Sequence, residues 1–129
     1  MAVYLLDTSV IIDVLNQKRN RSQLLESLIL QGDLLGCCSV NITEVYAGMR
    51  DHERGKTDLL LNSLDYYEVT REIASTAGLL KRDWAKKGFT LTYTDVTIAA
   101  VAIMHNMTLI TDNTKHFPMP NITFYPLPN

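Results

Sequence analysis

Val3 to Leu15 holds the feature that most constrains this 129-residue chain. The run Val3-Tyr4-Leu5-Leu6 stops at Asp7, Thr8 and Ser9 follow, and apolar residues then recur at Val10, Ile11, Val14 and Leu15 with helical spacing. That pattern is a buried strand feeding a helix with a carboxylate at the joint. In open α/β sheets ligands bind at the carboxyl ends of the parallel strands, which puts Asp7 at the edge of a site. The same residues also meet a plainer need, because Asp, Ser and Thr cap the free N–H groups of a helix start. Whether other acids reach the same edge decides between the two readings.

Strand and helix signals alternate along the rest of the chain. Leu24, Leu25, Leu28 and Ile29 predict a helix over 21–30, with Gly32 where it stops, and 34–40 reads as a second strand. A helix opens at Asn41, with Glu44 three residues later at the spacing of a capping box. Asp51 to Thr57, broken by Gly55, reads as a loop or frayed turn before a helix carrying Leu59, Leu60, Leu61 and Leu64. A short strand is expected over 65–70, then a helix over 71–87 with Ile73, Ala77, Leu80 and Trp84 on one face and Gly88 past its end. Lys81, Arg82, Lys86 and Lys87 crowd its last turns, as a solvated end suited to the helix dipole or as a phosphate-contacting patch.

From Val96 to Met104 the chain is apolar nearly all round, the mark of a helix buried in the middle of a small domain. Asp95 heads it with Thr94 as its expected cap, and the start of a buried helix is a poor place for charge unless something answers it. Residues 107–111 form another buried strand, followed at once by Asp112, Asn113, Thr114, Lys115 and His116. Ile122 to Tyr125, flanked by prolines, reads as an edge strand.

This length, with 47% hydrophobic residues and no shift in composition, is one domain over 1–129. A formal net charge of −2 argues against holding nucleic acid by bulk electrostatics but leaves room for basic patches around an acidic centre. No apolar run approaches the roughly 20 residues needed to span a bilayer, and 1–15 lack the basic start of a signal peptide. A cytoplasmic chain is expected. Cys37 and Cys38, adjacent within an apolar run, read as reduced core residues rather than a disulfide or a metal knuckle.

Asp7, Glu44, Asp95 and the Asp112–Asn113 pair each lie where a strand ends or a helix starts, so a parallel sheet would bring all four to one edge. Two carboxylates about 4 Å apart repel by about 4 kcal/mol at an effective dielectric of 20, and they take up protons unless a cation sits between them. Oxygen donors of this kind suit Mg²⁺ or Mn²⁺, and the absence of Cys/His spacing argues against structural zinc. The chemistry that uses such a site is attack of water on a phosphodiester, assisted by the divalent ion.

Leu5-Leu6-Asp7-Thr8-Ser9, Asn41-Ile42-Thr43-Glu44-Val45 with Gly48, Asp95-Val96-Thr97-Ile98-Ala99-Ala100, and Leu109-Ile110-Thr111-Asp112-Asn113 with Phe117 together resemble the successive motifs of PIN-domain ribonucleases, more narrowly the VapC toxins. The resemblance implies a Rossmann-like α/β/α PIN domain with a central, mainly parallel sheet, and Mg²⁺- or Mn²⁺-dependent endonuclease cleavage of RNA. It implies Asp7, Glu44 and Asp95 as the core acids, Asp7 and Asp95 being the most direct metal ligands, with Thr8 or Ser9 and the strand-ending Thr111 as polar neighbours. The fourth acid of that family falls on Asn113, with Asp112 one residue earlier as the alternative. Lys115, His116, Arg50, Arg54, Lys81 and Arg82 are the candidate RNA phosphate contacts, and transfer or ribosomal RNA the candidate substrates. A homodimer bound by a VapB-type antitoxin is the implied assembly.

Two other classes compete. A phosphotransfer domain of the haloacid dehalogenase or receiver type needs a second acid at Ser9 or a phosphoacceptor Asp after the third strand, and neither is present. A PIN-like module that binds without turnover would gain nothing from clustered, mutually repelling carboxylates.

Overall fold

A computed structural model describes residues 1–128. Among these residues five parallel strands, β1 (Val3–Leu6), β2 (Leu34–Cys38), β3 (Asp65–Tyr67), β4 (Thr108–Ile110) and β5 (Thr123–Phe124), stand in the order β3-β2-β1-β4-β5. Their side chains alternate between faces, as a period of two requires. Leu5, Cys38 and Leu109 enter one apolar core, and Leu6, Cys37 and Ile110 enter the other. The adjacent cysteines are therefore buried on opposite faces, both free, and burial pushes the Cys37 thiol up to about 11.

Helices cover both faces, giving the α/β/α sandwich that the alternating signals imply. On one side lie α5 (Arg71–Ala85) and α6 (Tyr93–Met104), the latter buried at Val96 and from Ile98 through Ala102. The other side is packed by α1 (Thr8–Leu15), α2 (Arg21–Leu30) and α4 (Arg54–Ser63), with Val45 of α3 (Ser39–Gly48) joining that core. Gly32 and Gly88, at φ +90° and +91°, end α2 and α5 in the left-handed conformation that glycine adopts without cost. Among the described residues no helix is long and apolar enough to cross a membrane.

Several boundaries differ from the sequence expectation. β2 stops at Cys38, so α3 opens at Ser39 and Asn41 falls in its first turn instead of preceding it. The expected loop over 51–57 is a 3₁₀ turn, Asp51–Glu53, running straight into α4; the Glu53 carboxylate accepts from the Arg50 N–H at 2.7 Å and closes that turn. The cap of α6 is Thr92, whose hydroxyl accepts from the Asp95 N–H at 3.0 Å, and not Thr94.

The strand order fixes where a ligand can sit. The chain lays β1, β2 and β3 outward in one direction and then returns to the far side of β1 for β4 and β5. The crevice between the carboxyl ends of β1 and β4 is the switch point, the usual binding position in open parallel sheets.

Candidate active site: an acidic cleft at the switch point

Asp7 follows β1 directly, and its N–H donates to the Ile110 carbonyl of β4 at 2.9 Å. Its carboxylate does two jobs at once. Oδ1 accepts from the Thr8 N–H at 2.8 Å and caps α1, while Oδ2 accepts from the Thr111 hydroxyl at 2.6 Å and from the Ser9 hydroxyl at 3.3 Å. Thr111 in turn accepts from the Asn113 N–H at 2.9 Å, so the end of β4 is bound to the end of β1 through side chains as well as backbone. Cap and site are thus the same residue.

Glu44 is fixed by a second chain of bonds. The Thr8 hydroxyl donates to Glu44 Oε1 at 2.6 Å and accepts from Asn41 Nδ2 at 3.1 Å, and Asn41 Oδ1 accepts from the Cys38 N–H at 2.8 Å. The capping box expected of Asn41 and Glu44 does not form, because α3 starts two residues early and Asn41, fully buried, reaches back as the third residue of the helix. Asn41→Ala is expected to cost about 2 kcal/mol in urea unfolding, since it strands the buried Cys38 N–H and frees Glu44. A loss below about 0.5 kcal/mol, the range of an ordinary surface change, would remove Asn41 from that role.

Asp95 completes the group from the first turn of α6, with His116 Nδ1 3.5 Å from its Oδ2. Asp7, Glu44, Asp95, Asn113 and His116, with Thr8 and Ser9, border one open cleft of about 340 Å³. Burial first, and the neighbouring charge of Asp95 after it, push the Asp7 carboxyl above its usual range, while the bonds from Thr111, Thr8 and Ser9 pull the other way. The site holds an incompletely answered negative charge.

The other residues singled out in the sequence lie elsewhere. Asp112 stands outside the cleft, paired with Arg21 at 2.7 Å and Arg19 at 3.3 Å, and lines a separate cavity of about 670 Å³. Asn113, not Asp112, shares the cleft with the acids. Lys115 is exposed on the 3₁₀ turn Thr114–His116, next to the cleft. Arg50 lines a neighbouring pocket. Arg54 pairs with Asp58 at 3.0 Å over the Tyr46 ring, Lys81 donates to the Leu91 carbonyl, and Arg82 pairs with Asp83 at 2.9 Å, so these three are engaged away from the acids. The burial of two polar residues, Asn41 and Arg21, is not foreseen by the sequence reading, which takes Asn41 only as a helix cap. Arg21 was legible, because it sits four and seven residues before the buried Leu25 and Leu28, on their face of the helix.

The donor set fits a hard divalent ion of a particular kind. Among the described residues no three His, Cys, Asp or Glu side chains converge closely enough to enclose a metal. Oxygen donors from one or two carboxylates, with water and substrate phosphate filling the remaining positions, are how Mg²⁺ is commonly held.

Comparison with known proteins finds a matching family and a shared fold. The PIN domain family matches residues 4–119. Ribonuclease VapC19 of Mycobacterium tuberculosis (strain ATCC 25618 / H37Rv) is 30% identical over 115 residues, 89% of this chain and 92% of that protein. A toxin–antitoxin complex from Klebsiella pneumoniae superimposes with a TM-score of 0.76 at 26% identity, covering 95% of this chain and 96% of that one. VapBC2 from Rickettsia felis, bound to a DNA fragment from its promoter, has the same fold, with a TM-score of 0.82 at 24% identity over 95% and 97% of the two chains.

Proposed function

We propose, from the premise that this chain belongs to the PIN domain family, that it is a ribonuclease toxin that cuts RNA internally with Mg²⁺ or Mn²⁺ at the acidic cleft. The observation that carries the reading is the meeting of Asp7, Glu44 and Asp95, from three distant segments, in one cleft at the switch point of the sheet. Asp7 and Asp95 would hold the ion, and Asn113 takes the fourth position, directly or through water. When bound, the ion supplies charge neutralisation at the phosphate and lowers the pKa of a water.

The chain's own residues do the positioning. Thr111 and Ser9 fix the Asp7 carboxylate, and the Asn41–Thr8 pair fixes Glu44, so the acids are held in place before substrate arrives. His116, 54% exposed beside Asp95, is placed to contact a phosphate oxygen or pass a proton. Lys115, exposed on the same turn, is the neighbouring candidate for a phosphate contact. The likeness to the Klebsiella pneumoniae toxin–antitoxin complex supports control by an antitoxin partner, and a homodimer and a cytoplasmic setting are the further expectations for a protein of this kind.

Incubating the purified chain, freed of any antitoxin, with total, transfer and ribosomal RNA tests the reading. Discrete fragments with Mg²⁺ or Mn²⁺ and intact RNA with chelator are expected. RNA left whole under every condition would refute it.

A further inference from the structure

Beside the acids lies a second pocket that the cleavage reading leaves unused. Ile12, Leu15, Val45 and Met49 give it an apolar lining, and Lys18 and Arg50 add charge, around a volume of about 330 Å³. Ile12, 37% exposed, borders both this pocket and the acidic cleft, so the two are adjacent. From Glu44 at the acids to Gly48 in the pocket is one turn of α3, about 6 Å along its axis. Glu53 also lines the pocket, but its carboxylate is answered by the Arg50 N–H at 2.7 Å and by Lys56 at 3.6 Å, which leaves Lys18 and Arg50 available to anions. Thr57 forms part of the wall, 1% exposed, and its hydroxyl has no hydrogen-bond partner among the described residues. Buried hydroxyls are normally bonded, so this one lacks the partner that its burial calls for.

Resting on the ribonuclease reading, we propose that this pocket receives a nucleobase of the substrate strand, from a nucleotide adjoining the scissile phosphate. The Thr57 hydroxyl bonds the edge of the base, the apolar lining covers its face, and Lys18 and Arg50 meet the flanking phosphates. An apolar pocket with a few placed polar groups is the usual form of a small-ligand site, and unpaired RNA is recognised through bases splayed out of the stack. The positive charge beside an acidic centre matches a polyanion that must be drawn to carboxylates it would otherwise avoid. The pocket would make Thr57 a specificity residue for the nucleotide next to the cut.

Gly48 offers a clean plug. It lines the pocket, and a Cβ added there meets nothing within 4 Å, so Gly48→Leu fills the space while Gly48→Ala leaves it open. Titrating each of the four nucleoside 5′-monophosphates into the methyl-labelled protein should shift the Ile12, Leu15 and Val45 methyl resonances in wild type and G48A and leave them still in G48L. On RNA, G48L should lower kcat/KM roughly tenfold or more, the scale of losing one bound base. Its Mn²⁺-supported hydrolysis of bis(p-nitrophenyl) phosphate, which is too small to span both sites, should stay within about twofold of wild type. Thr57→Val, which keeps the shape and removes the hydroxyl, should change the base preferred beside the cut when fragment ends from a randomised RNA are sequenced. Methyl shifts that persist in G48L, or RNA cleavage by both variants at wild-type rates and sites, would overturn the proposal. So would a G48L protein that cuts RNA normally yet escapes its antitoxin, since that result hands the pocket to the antitoxin. Failure of wild type to cut RNA at all would count against the ribonuclease reading alone, and the methyl shifts still decide the pocket.

Discussion

Arg21→Met is expected to lower stability by about 3 kcal/mol, roughly 10 °C in Tm for a domain of this size, in thermal or urea unfolding. Arg21 is 2% exposed and donates to Asp112 at 2.7 Å and to the Pro128 carbonyl at 3.4 Å. A buried guanidinium is costly to desolvate, so the pair adds little beyond what an apolar replacement could supply. Removing one partner is different, because the other is left charged in a poor solvent. Arg19, 3.3 Å from the same carboxylate, softens the loss, which sets the figure at the lower end for a broken buried pair. Gln17, Arg19 and Asn20 precede the pair at φ +55°, +55° and +57°, a conformation that L residues adopt at a cost of about 1 kcal/mol each, and the Arg19 and Arg21 contacts hold it in place. The double variant Arg21→Met/Asp112→Leu should recover most of the loss. A single variant within about 1 kcal/mol of wild type would show that the pair is not a tether.

Asp7→Asn is expected to abolish RNA cleavage, by about a thousandfold or more, while raising the stability of the metal-free protein by about 1 kcal/mol, or 3–5 °C. The two effects share a cause. Burial and Asp95 raise the Asp7 carboxyl above 3.8 in the folded state, so folding favours its protonated form. The sign follows from linkage: there is no penalty below the unfolded value near 3.8, stability falls as pH rises through the raised folded value, and the full penalty stands at neutral pH. Asn keeps the cap on α1 through its amide oxygen and turns its NH2 to the Thr111 and Ser9 hydroxyls, which then accept instead of donating, and it carries no charge. In calorimetry the Tm advantage of the variant should shrink as pH falls toward 3.8 and shrink again when Mn²⁺ is added, because the ion stabilises only the charged form. A variant less stable than wild type at pH 7, or one that still cuts RNA, would contradict this account.

Much of the fold could be read from the chain because local patterns agreed with it. The break at Asp7, the all-apolar helix behind Asp95 and the glycines at 32 and 88 each carry their signal within a few residues. The rest depended on distance or register. Asn41 and Glu44 have the spacing of a capping box, but whether Asn41 precedes the helix or sits inside it turns on where β2 ends, and two residues of error make a cap of a buried hub. The spacing of Arg21 to Leu25 and Leu28 put it on the buried face, but its partner, 91 residues away, left no local sign. Asp112 and Asn113 could not be separated by type, since either can bind an ion. Along an extended run neighbouring side chains point to opposite sides, so the turn of Thr111 toward Asp7 carries Asn113 with it and sends Asp112 to the arginines. Lys81, Arg82 and Arg54 show the limit of charge counting, because each finds a partner in its own chain.

The most direct test of one ion-dependent centre built from Asp7 and Asp95 is a Mn²⁺ titration followed by electron paramagnetic resonance, with RNA cleavage rates taken on the same samples. In wild type the binding curve and the rate curve should coincide, and in folded Asp95→Asn both should move together to higher Mn²⁺ or vanish. Cleavage that persists in chelator, or an Asp95→Asn protein that binds Mn²⁺ and cuts RNA as wild type does, would place the chemistry elsewhere.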